Sequence, residues 1–171
     1  MPAAANRRPL KFASLEEIAV EAERLHQDGY AAQGAWNLSQ VCHHVADWMS
    51  FPMDGFPRAN PAIRLVLWAM KVTMGRRQLQ KILTSGSMPA GSPTLPQTIG
   101  RADEDEAAAV GQLRETVERL KQYQGAIHPS PLFGSMDYES CEALQRIHAA
   151  HHFSFLHPQA NSNQANADEQ R

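Results

Sequence analysis

Only two cysteines occur in the chain, Cys42 and Cys141, and they stand too far apart to form a C-x-x-C pair. That excludes a zinc ribbon and a dithiol redox motif, and the two read as buried thiols of a reducing cytosol. Excess charge is also missing. With a net charge of −2 and basic residues scattered along the chain, nothing supplies the concentrated positive field of a nucleic-acid backbone binder, so no nucleic-acid partner is expected. Long apolar runs are absent. The most apolar stretch, "AIRLVLWAM" at 62–70, contains Arg64 and meets Lys71, far short of the roughly 18 apolar residues that span a bilayer. It reads as a helix face, and no stable membrane insertion is expected. An Arg-Arg pair stands near the N-terminus, but the acidic "SLEEIAVEAERL" follows where an export signal needs its apolar region. The start is therefore read as unprocessed and cytoplasmic.

Strand patterns are equally scarce. Apolar residues make up 43% and charged residues 20% of the 171 positions, enough for one globular domain with a core. A first helix is predicted from about Leu15 to Gln27, with Ser14 and Glu17 at capping-box spacing and Leu15, Ile18, Ala22 and Leu25 at helical intervals. A second opens at Asn37, with Gln40 three residues on, and runs to about Met49 before Pro52 and Gly55. Asn60-Pro61 starts a third, to about Leu83, weakened at Gly75. "TSGSMPAGSPTLPQTIG" (84–100) is a long loop that could cover a site. Asp103 with Glu106 caps a fourth helix ending near Gly125, and a fifth runs from about Asp137 to Leu156. The expected class is an all-α helical bundle with an extra helical segment and long loops. Its parts are an N-terminal extension at 1–13, the bundle at 14–157 and a disordered tail at 158–171. Trp68, Met70 and Met74 are assigned to core packing.

Within this pattern, four of the eight histidines fall between positions 148 and 157. On a helical wheel Cys141, Leu144, Ile147 and Phe155 define the core-facing side of the last helix, and His148 and His152 lie on or beside it, one turn apart. Two imidazoles at i and i+4 converge as a helix-borne ligand pair for a divalent metal. His151, at i+3 from His148, leaves the pair His148/His151 open. His157 sits at the frayed end, and His26 and His128 read as surface or loop residues. On the second helix Leu38, Val41, Val45 and Trp48 define a face, with His44 at its edge and His43 pointing away. His44 is the better third ligand, if the two helices are neighbours.

"HHVADW" on an early helix, followed about a hundred residues later by "HAAHHFSFL", resembles the DinB-like superfamily. "RRPLKFASLEEI", "WNLSQVCHHVADWM" and "PLFGSMDYESCEALQRIHAAHHFSFL" look like its branch catalogued only as a domain of unknown function. The resemblance implies a four-helix bundle of up-down-down-up topology, often a homodimer, with a divalent ion at one end. Carried over position by position, it implies His44, His148 and His152 as ligands. Cys141 stands where relatives often carry tryptophan.

Three neutral imidazoles would leave an ion Lewis-acidic and open to water or substrate. Zinc is the default, and nickel, iron or manganese suit the same nitrogen set. By resemblance the activity is that of a thiol-dependent transferase using a low-molecular-weight thiol, or of a metal-dependent hydrolase, acting on a small molecule. A stress-associated bundle without turnover is the competing class, with "AIRLVLWAM" as a dimer interface. Asp47, one turn beyond His44, is a candidate to orient that imidazole. Trp48, Phe51, Phe133 and His151 are the candidate pocket residues.

Overall fold

In the computed structural model the described residues are 6–88, 98–100, 102 and 105–159. They are mostly helical. Helix α1 spans Glu16–Asp28 and buries Ile18, Ala22 and Leu25, the predicted stripe. Its start differs from the expected capping box. Leu15 occupies the N-cap in helical backbone conformation without a side-chain cap, because its side chain is committed to the core, and the Glu17 carboxylate accepts instead from the Ala13 amide at 2.7 Å.

Helix α2, Leu38–Asp54, carries the complete Asn37/Gln40 capping box. It does not stop at Met49 but continues through Pro52 to Gly55, whose φ of 100° is accessible to glycine. Proline inside a helix removes the N–H that would bond the carbonyl four residues back. Here that carbonyl is Trp48's, and it accepts from Gln145 Nε2 on the last helix at 3.1 Å. The helix survives because a buried side chain replaces the missing donor.

Asn60 Oδ1 caps α3, Pro61–Met70, through the Ile63 amide at 2.9 Å. The rod continues as a π-helical turn, Lys71–Gly75, into α4, Arg76–Ser85. The expected weak point at Gly75 is where the π turn ends. A Cβ on Gly75 would lie 2.4 Å from the backbone oxygen of Leu132. Gly75→Ala is therefore expected to lose about 1–3 kcal/mol through overpacking, although alanine is the better helix former. Urea unfolding checks this, and an unchanged or raised midpoint would refute the close approach.

Helix α5, Glu106–Lys121, is capped by Asp105, whose side chain accepts from the Ala107 amide. The predicted cap, Asp103, lies outside the described residues. Helix α6, Tyr138–Phe153, is capped by Asp137 and ends three residues before the expected Leu156. The chain there leaves the helix to form β2, Leu156–Pro158, antiparallel to β1, Tyr30–Ala32. This small sheet was not expected: a three-residue strand carries too little alternation to register as a pattern.

Helices α1, α2, α5 and α6 share one core, with Phe12, Leu38, Met49, Leu113, Leu120 and Phe153 among its buried side chains. Residues of the extension expected at 1–13 take part: Phe12 is in that core, and the Arg8 guanidinium pairs with Glu21 while its Nε donates to the Leu156 carbonyl. A second, smaller core joins Leu79 and Ile82 of α4 to Phe133, with Leu144 and Ile147 of α6 packed against it. The wheel assignment for α6 is corrected accordingly. Ala149, Ala150 and Phe153 face the main core, Cys141 and Gln145 are buried beside them, and Leu144 and Ile147 face α4. Phe155 lies beyond the helix, half-buried. Packing on two sides is what blurs the period of this helix. Helix α3 has no buried residue, and Trp68, Met70 and Met74, expected in a core, are exposed.

Candidate metal centre

The capping box at Asn37 sets the register of α2 so that His44 is turned inward, 1% exposed. Helix α6 packs beside α2 and brings His148 and His152 to it from one turn apart. The Gln145 to Trp48 hydrogen bond ties the two helices together within one turn of His44 and of His148.

His148 Nε2 stands 3.2 Å from His44 Nε2 and 3.1 Å from His152 Nε2. The three ligand atoms all lie within 4.8 Å of one another, and the group could hold a metal ion. Three nitrogens around a tetrahedral zinc, each about 2.0–2.1 Å from it, stand about 3.3 Å apart. The two short contacts are already near that separation. His151 is directed elsewhere: its Nδ1 accepts from the Arg7 guanidinium at 3.0 Å. The residue meeting His44 and His148 is thus His152 and not His151.

Burial sets the charge state. It lowers the His44 pKa to about 4, well under the ordinary imidazole value, with His151 nearby adding to the effect. Burial depresses His148 and His152 further, reinforced by the neighbouring imidazoles. All three are neutral at pH 7, the form that ligates. Only one proton can lie in each Nε2 to Nε2 contact, whereas a cation accepts all three lone pairs together. On the far side of the ring, His44 Nδ1 meets Thr98 Oγ1 at 2.9 Å. Donation from Nδ1–H to that hydroxyl leaves Nε2 as the ligating atom. His148 Nδ1 is buried with no hydrogen-bond partner.

The oxygen orienting His44 is therefore Thr98's and not that of Asp47, whose half-buried carboxyl has its pKa raised by burial. Of the candidate pocket residues, Trp48 and Phe51 lie on the same helix as His44. Trp48 lies 5.5 Å from His148 between ring centroids, and Phe51 is edge-on to Trp48 at 5.6 Å. Phe133 belongs instead to the second core with Leu79 and Ile82. Two residues were missed. Trp36 stacks on His152 at 5.0 Å with an interplanar angle of 7°, and Thr98 sits in the Ser/Gly/Pro-rich loop. Trp36 immediately precedes the Asn37 cap, a position that would have drawn it toward the start of α2. Thr98 carried no readable signal, because loops have no period.

A family model described as "Protein of unknown function (DUF1569)" matches residues 4–159. The chain belongs to that family. The match supports the expectation of a domain of unknown function and assigns no activity to it. No curated protein and no solved structure matches the chain. In this DUF1569 member, the functional reading rests on the chemistry of its three imidazoles.

Proposed function

We propose that the protein is a divalent-metal-dependent enzyme of the DinB-like type, an up-down-down-up bundle of α1, α2, α5 and α6 with His44, His148 and His152 as ligands. The observation that carries this reading is the convergence of three neutral imidazole Nε2 atoms, that of His44 on a buried side chain and those of His148 and His152 on half-buried ones. Among the described residues no carboxylate joins them. When bound, the ion supplies Lewis acidity at neutral pH, with zinc the default and nickel, iron or manganese the other candidates.

The residues themselves do the rest. Thr98 fixes the His44 tautomer, and Trp36 and Trp48 wall the imidazoles with apolar surface that excludes water. Thr98→Val, nearly isosteric, is expected to weaken metal affinity about 10–100-fold. Competition with a chromogenic chelator measures it, and an unchanged affinity would separate Thr98 from the site.

The reaction we assign is group transfer with a low-molecular-weight thiol on a small electrophile. The sulfur forms the new bond to the electrophilic carbon, the leaving group or opened ring takes the electron pair, and the thiol proton passes to solvent. Among the described residues no carboxylate joins the three histidines, which favours this over hydrolysis, a reaction helped by a carboxylate base. The test is consumption of small thiols against a panel of electrophiles by zinc-, nickel-, iron- and manganese-loaded protein. Turnover that is lost in His152→Ala is expected. Thiol-independent ester or amide cleavage would replace the reading by a hydrolase, and no turnover with any metal would leave a non-enzymatic bundle.

A further inference from the structure

Helix α3 is apolar, yet none of its residues is buried. Its side chains Ile63, Leu65, Val66 and Trp68 are 44%, 65%, 58% and 57% exposed, and the surface continues through the exposed Val72 and Met74 of the π turn. A helix apolar around most of its circumference ordinarily lies inside a protein or in lipid. The charge of this segment is as unusual as its hydropathy. From Gly55 to Ala102 the sequence holds no Asp or Glu, while Arg58, Arg64, Lys71, Arg76, Arg77 and Lys81 lie along it, in a chain whose net charge is −2. Basic residues that are scattered over the chain as a whole are unopposed here. Among the described residues none of these six forms an ion pair.

We propose that the α3 to α4 rod is a docking surface for an anionic lipid bilayer. The apolar side chains of α3 would enter the boundary between headgroups and acyl chains, with exposed Trp68 at that level, and the cations would face anionic headgroups. No helix among the described residues is long and apolar enough to cross a membrane. Ten residues of α3 extend only about 15 Å, so the rod lies in the interface. The charge pattern argues against a second copy as the occupant. A two-fold contact sets the same patch against itself, and this patch would meet its own cations with no acid to oppose them.

The test is cosedimentation of the full chain with vesicles of phosphatidylcholine alone and of equal parts phosphatidylcholine and phosphatidylglycerol. Binding to the mixed vesicles is expected to exceed binding to the neutral ones at least about a hundredfold, since each cation at an anionic surface strengthens partitioning about fivefold. It should weaken as salt is raised. The variant Arg76→Gln/Arg77→Gln/Lys81→Gln should lose about a hundredfold on the same basis. Leu65→Glu/Trp68→Glu should abolish binding while keeping the wild-type helical content and melting temperature, because both side chains are exposed. No binding, or equal binding to both vesicles, overturns the proposal. So does a dimer in sedimentation equilibrium that this last variant dissociates, which would make a second copy the occupant.

Discussion

Replacing His148 by alanine is expected to abolish the thermal stabilisation that divalent zinc gives the wild-type protein. His148 Nε2 touches both of the other ligand atoms, 3.2 Å from His44 Nε2 and 3.1 Å from His152 Nε2, so its loss leaves only two of the three imidazoles to hold an ion. An ion that binds only the folded chain adds about 2.7 kcal/mol at a hundred times its dissociation constant. For a domain of this size that corresponds to a rise in Tm of about 5–10 °C. The wild type should show that rise with zinc and lose it on chelation, and His148→Ala should show neither. Without metal the variant should be no less stable than the wild type, because the substitution removes a buried ring whose Nδ1 has no partner and which crowds two neighbours. Calorimetry with and without zinc measures both quantities. An equal zinc-induced rise in the variant would place the binding elsewhere.

Phe153→Ala is expected to cost about 3–5 kcal/mol, the range for deleting a fully buried phenylalanine ring. Phe153 is completely buried and lies edge-on to Phe12 at a centroid distance of 6.1 Å. Domains have about 5–15 kcal/mol of stability in total, so the variant should melt far below the wild type. Phe155→Ala is the matched control. Phe155 is half-buried, beyond the end of α6, against His151 and under the Arg7 guanidinium, and its loss should cost well under half as much. Urea unfolding of the pair decides the matter, and equal costs would mean that the core is not centred where described. Because Phe153 follows His152 directly, the first variant should also lower metal affinity, while the control should leave it nearly unchanged.

What the sequence made legible follows from where periodicity is a faithful record of packing. The stripe Leu15, Ile18, Ala22 and Leu25 of α1 faces a single core, and its wheel assignment holds. Helix α6 is packed on one side by the bundle and on another by α4. Its apolar residues therefore occur around much of its circumference, and the wheel misassigned Leu144 and Ile147. Pro52 read as a stop because its compensation, Gln145, is almost a hundred positions away. The exposed apolar rod of α3 read as core because hydropathy records a preference for burial and not the surface that satisfies it. The histidines were the most legible part of the site. Spacing on α6 brought two of them to one face, the apolar face of α2 singled out His44 over His43, and resemblance chose His152 over His151. Their supports were not legible: Thr98 comes from a loop, and Trp36 reaches His152 across the fold.

His44, His148 and His152 are expected to hold one divalent ion between them. Elemental analysis of protein purified without a histidine tag, alongside His44→Ala and His152→Ala, tests it most directly. The expected result is about one divalent ion per chain in the wild type, after reconstitution if needed, and almost none in either variant. No ion in reconstituted wild type, or undiminished metal in both variants, would contradict it.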